Sequence, residues 1–209
     1  AGNAEAAQTV TVRLDKTAPT VSVVSPAEGA FYALNQNVLA DFACADNLSG
    51  NATCDGTVAS ASPLDTAAPG AKTFAVSTTD EAGNHTTASV GYTVGYTVGT
   101  LYEVEKAHRA GSTVPVKLQL LDAAGANLSS ASTAVRALGV SPVTSETYET
   151  AADAGNANPG GGFRFDPTVG ETGGYIFNLK TTGYAPGAYK LYFTVGADPH
   201  VYTTQFQIR

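Results

Sequence analysis

Apolar residues along this chain recur with a period of two. The cleanest case is Val114-Pro115-Val116-Lys117-Leu118-Gln119-Leu120, where Val114, Val116, Leu118 and Leu120 share one face. Pro115, Lys117 and Gln119 share the other, and a proline in such a run marks an edge or strand-start position. Similar short runs predict strands over 21–25, 37–44, 56–58, 70–79 and 86–94. More follow over 134–138, 163–165, 174–180, 187–195 and 201–208. Between them stand turn formers: Pro26-Ala27-Glu28-Gly29, Asp80-Glu81-Ala82-Gly83-Asn84, Asp122-Ala123-Ala124-Gly125 and Gly196-Ala197-Asp198-Pro199-His200. No helical period persists, and short strands spaced by turns predict β-sandwiches. Residues 151–162, which include Asn158-Pro159-Gly160-Gly161-Gly162, predict a long flexible loop.

The pattern also repeats. Ala82-Gly83-Asn84 leads into the strand that closes the first group, and Ala1-Gly2-Asn3 leads into an alternating run over 9–14. A recurring turn-plus-strand unit predicts a module array. We therefore expect an all-β chain of two tandem Ig-like sandwich modules, 15–94 and 95–209, with 1–14 the last strand of a truncated preceding module. A strand without its own sheet has three possible fates. It can fold back on the first module, pair with a neighbouring molecule by strand exchange, or stay a free arm. Asp15-Lys16-Thr17-Ala18-Pro19 forms the junction, since Pro19 cannot continue a ladder.

Composition narrows the class. Charged residues make up 14% of 209, with 22 glycines, no Trp and no Met, which fits an extracellular β-protein or a processed chain. A net charge of -7 argues against binding nucleic acid or anionic membranes, which requires clustered Lys and Arg. No apolar run approaches the roughly 20 residues of a membrane-spanning helix, so no membrane insertion is expected. Any export signal would stand upstream of Ala1.

The two cysteines, Cys44 and Cys54, flank a turn-rich loop. A metal site needs more ligands than this pair supplies, and a redox motif would normally read C-x-x-C. A disulfide across a β-connection is the simplest reading, and it places the chain in an oxidising, extracellular compartment.

At this point the residues resemble a known family. Asp15-Lys16-Thr17-Ala18-Pro19, the Cys44, Asp46, Ser49-Gly50, Cys54 constellation and Asp80-Glu81-Ala82-Gly83-Asn84 resemble bacterial Ig-like domains of secreted, mostly actinobacterial, proteins. Arrays of those domains often end in a module named for a Pro-x-Lys-Phe motif. Residues 110–118, Phe163-Arg164-Phe165-Asp166-Pro167 and the closing Thr203-Thr204-Gln205-Phe206-Gln207-Ile208-Arg209 resemble that module. Leu118 stands where its Phe is expected, and cysteines often seen there are absent. The resemblance implies an accessory C-terminal region of an exported hydrolase or surface protein, without chemistry of its own. Its partners would be upstream domains of the same polypeptide.

Candidate sites are few. His85, His108 and His200 occupy three separate turn or loop settings, and no G-x-S-x-G elbow supports acyl transfer. No catalytic residue is assigned. The only cofactor to weigh is calcium, for which Asp15, Asp46 and Asp80 could converge at one end of a sandwich. Asp and Asn also cap tight turns by bonding their own backbone, which accounts for the same residues without metal. Tyr175, Tyr184, Tyr189, Tyr192 and Tyr202 could stack on sugars, making a glycan- or protein-binding adhesion module the alternative to a spacer. Alternate tyrosines on strands equally fill cores. Exposure of those rings favours binding, and burial favours the spacer.

Overall fold

Strict alternation in the run around Val116 becomes the central strand of the larger half of the molecule. In the computed structural model, which describes residues 2, 8–10, 14–154 and 158–209, Val114, Val116, Leu118 and Leu120 are completely buried. The strand expected over 9–14 includes residues 11–13 and so falls outside the described residues. The chain is all-β, with fifteen strands and one short 3-10 turn at Pro159–Gly161 among the described residues.

Two compact units divide the chain. Unit 1 takes Ala1–Ala27, Leu39–Pro63 and Phe74–Val90. Unit 2 takes Glu28–Val38, Leu64–Thr73 and Gly91–Arg209.

In unit 1, β1 (Thr20–Ser25) and β3 (Asp41–Ala45) form an antiparallel pair, with Val21 opposite Cys44 and Val23 opposite Phe42. A second layer pairs β4 (Asn51–Gly56) with the C-terminal half of β5 (Gly70–Asp80), and the chain turns at 80–84 into β6 (His85–Gly95). The layers meet where Phe42 packs on Phe74, ring centres 5.7 Å apart, beside the fully buried Val76. Gly56 is required at this contact, because a Cβ there would lie 2.7 Å from the Phe42 ring. β4 runs from Asn51 to Gly56 instead of the expected 56–58, so the cysteine loop is shorter and Cys54 is itself a strand residue.

In unit 2, β2 (Ala30–Ala33) runs parallel to the end of β6, Ala30 opposite Tyr92 and Ala33 opposite Gly95. The rest is a sandwich. One sheet has the order β12-β13-β9-β7, from Arg164–Asp166, Gly174–Lys180, Thr113–Leu121 and Thr97–Thr100. The other has the order β11-β10-β14-β15-β8, from Glu149–Thr150, Val135–Pro142, Gly187–Val195, Tyr202–Ile208 and Ala107–His108. Phe163 joins the layers, its ring 5.1 Å from Phe177 of one sheet and 5.5 Å from Phe193 of the other. Alternation thus buries one face of each sheet against the other, as in any β-sandwich.

Pro115 sits third in β9, opposite Asn178 of β13. On its other side β7 pairs only with Leu118 to Leu121, so the missing N–H breaks no ladder bond. The loop expected to be flexible over 151–162 is tied down in its described part. Asn158, 2% exposed, donates to Asp153 Oδ1 at 3.0 Å and to the Asn178 carbonyl at 2.8 Å, and accepts from the Asn178 N–H at 2.8 Å. Residues 155–157 of that loop lie outside the described residues.

Candidate metal centre and packed tyrosines

Cys44 of β3 and Cys54 of β4 are joined by a disulfide, with their Cα atoms 5.8 Å apart. It closes the base of the 45–53 connection, whose residues fold around Asp46. Oδ2 of Asp46 accepts the N–H groups of Leu48 (2.9 Å) and Gly50 (2.8 Å), an Asx turn completed by Gly50 at a φ of 88°. Asp15 approaches the same loop from the junction: Oδ1 accepts from Thr17 N–H at 2.8 Å and Oδ2 from Ser49 N–H at 3.0 Å. Asp80 lies at the end of β5, 2% exposed, and accepts from the Asn84 N–H (2.8 Å) and side-chain amide (2.7 Å). That amide also reaches the carbonyls of Asp15 (3.4 Å) and Thr17 (3.3 Å), fastening the junction to the hairpin.

The three acids expected to converge do so. One oxygen of each of Asp15, Asp46 and Asp80 lies within 4.8 Å of the others. The turn-capping explanation also holds for each acid, since all three accept backbone N–H groups. The Thr17 N–H, aided by Ser49, holds the Asp15 carboxyl below its ordinary range. The Gly50 and Leu48 N–H groups do the same for Asp46. Burial opposes both shifts.

In unit 2 the tyrosines turn inward. Tyr175, 1% exposed, donates to the Ser130 carbonyl at 3.0 Å. Tyr189 is buried, donates to the Ala185 carbonyl, and stacks between Tyr184 (5.1 Å) and Phe206 (5.6 Å). Tyr192 is buried beside Ser141, and Tyr184 is half-buried. Tyr148, absent from the sequence candidates, is the more exposed ring at 45%, and it stacks on Tyr192 at 4.8 Å. No periodicity signals Tyr148, since it stands outside any regular strand.

Tyr202 has a different role. Its hydroxyl donates to Asp198 Oδ2 at 2.5 Å and accepts the Tyr96 N–H at 2.9 Å. Burial, reinforced by the bond to Asp198, pushes that hydroxyl's pKa far up. Around it, still within unit 2, Phe31 of β2 packs on His200 (ring centres 4.3 Å). Leu34 N–H donates to the Gly95 carbonyl at 2.6 Å, and Ala123 N–H donates to the Leu34 carbonyl at 2.9 Å. Asn35 reaches Asp122 at 3.3 Å. At Gly95 a side chain would collide with the Tyr202 hydroxyl and lie 2.7 Å from the Phe31 ring. β2 and the segment after β6 are therefore seamed to the hairpin between β14 and β15.

The histidines stay apart in chain setting: His85 opens β6, His108 ends β8 and His200 packs on Phe31. Two asparagines that open N-x-S/T sequences, Asn84-His85-Thr86 and Asn127-Leu128-Ser129, have their side-chain amides engaged: that of Asn84 by Asp80 and the carbonyls of Asp15 and Thr17, and that of Asn127 by Thr172 and the Gly173 carbonyl.

No family model matches the chain, and no curated protein does. Among solved structures it is similar to the fibronectin(III)-like modules of Clostridium thermocellum CbhA, at 13% identity over 90% of this chain and 93% of that one, with a TM-score of 0.30. Domains 4 and 5 of the S-layer protein SbsC are similar at 12% identity over 92% and 98%, with a TM-score of 0.28. The protocadherin GammaB4 extracellular domain is similar at 10% identity and a TM-score of 0.30; this chain spans about a third of its length. At such scores the resemblance extends no further than strands stacked in sandwiches, and no function passes through it.

Proposed function

We propose that the chain is a non-catalytic spacer of an exported bacterial protein, made of an Ig-like module over 15–94 and a module of the Pro-x-Lys-Phe type over 95–209, which positions a functional domain elsewhere in the polypeptide. Support comes chiefly from the seam in unit 2. Segments 28–38 and 91–96 are fixed to 122–123 and 198–202 by ring packing and by hydrogen bonds through Tyr202, Leu34 and Asn35. A spacer transmits position only if its joints resist bending, and a packed, hydrogen-bonded joint does so where a Gly- or Ser-rich linker would not. The disulfide fits an oxidising compartment. Inward-facing tyrosines weigh against the adhesion alternative, since a glycan platform requires exposed ring faces.

Backbone 15N relaxation provides the test. Residues 30–33 and 113–121 should report one rotational correlation time, and Tyr202→Ala should separate them. Independent tumbling in the unaltered chain would defeat the spacer. A glycan array should give no specific binder, and a specific hit that depends on Tyr148 or Tyr184 would establish the adhesion reading in its place.

A further inference from the structure

Within unit 2, a cleft of about 420 Å³ opens at the edge of the sheet that carries β11. It runs between the 145–149 segment and the 183–185 turn, and Val140, Pro142 and Tyr189 also line it. Strand register decides what faces it. Val140 and Pro142 stand two apart in β10 and so share a face. Glu149 lies opposite Val140 and Tyr189 opposite Pro142, which places both on that face. Elsewhere that face packs the core, since Val140 and Leu191, opposite one another, are both buried. A carboxylate, exposed at the rim, is thus set on the inner side of an edge strand. Beside it stands a column of rings. Tyr184 stacks on Tyr189 and Tyr189 on Phe206, with interplanar angles of 18° and 17°. Phe206 is completely buried, and the half-buried Tyr184 ends the column at the cleft.

Glu149 is the one charged residue lining the cleft, and it forms no ion pair among the described residues, whereas Glu146 takes Lys190 at 3.9 Å. Burial, and after it the Glu149 charge, raises the Tyr184 hydroxyl above its ordinary range, so the carboxylate acts within electrostatic reach of that ring. The other polar groups of the cleft are occupied. The Ser145 and Thr147 hydroxyls engage one another at 3.2 Å, and the Tyr189 hydroxyl donates to the Ala185 carbonyl at 2.9 Å. A neutral sugar would find few partners for its hydroxyls there. An inward charge also deters an edge strand from pairing with another sheet, but that leaves the ring column without a purpose. We propose that this cleft binds a weakly hydrated organic cation, a quaternary ammonium or a guanidinium, with its charge over the Tyr184 ring and against Glu149. Such cations give up water readily and are drawn to the negative face of an aromatic ring. Lysine-type ammonium groups hold their water too strongly to compete. The chain's net charge of -7 adds a field that favours cations. This binding site stands apart from the spacer role, and either can hold without the other.

Amide 15N spectra of the full chain test the site, titrated at constant ionic strength with choline chloride and separately with N-acetyl-arginine amide. Saturable shifts should gather at Thr147, Tyr148, Gly183 and Ala185. The uncharged isostere of choline, 3,3-dimethylbutan-1-ol, should bind several-fold more weakly. Stronger binding of choline identifies a quaternary ammonium headgroup as the source, and stronger binding of the arginine amide identifies a basic side chain. Tyr184→Leu should lower affinity roughly 2- to 30-fold, and Glu149→Gln roughly two- to fivefold, with the rest of the spectrum in place. No saturable shift with either cation overturns the proposal. Equal affinity for the uncharged isostere overturns the cation class. Affinity unchanged by both substitutions overturns the assignment to these residues. Should Tyr184→Leu unfold the chain, Glu149→Gln at its exposed position decides alone, and unchanged affinity in that variant overturns the assignment.

Discussion

Single side chains fix several features that no neighbouring residue can supply. Gly56 is one, because the Phe42 ring occupies the space of its Cβ. Gly56→Val should destabilise the chain by about 1–3 kcal/mol in a urea titration, since the ring cannot retreat without leaving Phe74. Leu118, completely buried in β9, should lose about 2–5 kcal/mol on truncation to Ala. Asp15 and Asp46 titrate below their ordinary values when folded, so their contribution is fully present above the unfolded pKa of about 3.9. It disappears as pH falls through the depressed folded values. An acid titration followed by fluorescence should therefore show a limb below about pH 4 that Asp46→Asn flattens. The acids were legible from their settings at the junction, in the cysteine loop and at the last hairpin, but the way Asp46 folds the 45–53 loop around its Oδ2 emerges only in three dimensions.

Among elements, legibility followed period and length. β9, β13 and β14 are long, alternate cleanly and were expected within a residue or so of their observed bounds. β2 was not, because four residues, Ala30–Ala33, cannot show an alternation, and their parallel partner lies some sixty positions later. β8 and β11, at two residues each, exist only because a neighbouring strand supplies a ladder. The clamp at Asn158 was hidden for a related reason: glycine and proline around it signal a loop, while its anchoring comes from Asn178 in a distant strand. The disulfide was legible, and its removal should cost roughly 2–3 kcal/mol, measured by denaturation of the Cys44→Ser, Cys54→Ser chain in the absence of calcium.

For the whole molecule, composition and strand pattern were enough to give an all-β chain, yet the packing units do not follow the linear order of the strands. β5 and β6 each contribute residues to both units, and Tyr96 meets Tyr202 across 106 positions. No local signal encodes such a pairing. Tyr202→Phe removes one hydroxyl and leaves the Tyr96 N–H without its acceptor and Asp198 Oδ2 without its donor. We expect a loss of about 1–3 kcal/mol, read from thermal unfolding, with faster amide hydrogen exchange at Tyr96 than in the unaltered chain.

That seam has a practical consequence for anyone dissecting the polypeptide. A fragment cut at Gly95 would lack Phe31, Leu34 and Asn35, so His200 would lose its covering ring and Ala123 N–H and Asp122 their acceptor and donor. Expressed alone, such a piece would present raw apolar surface to the solvent and tend to clump. Subcloning should instead keep the chain whole from the Asp15 junction onward.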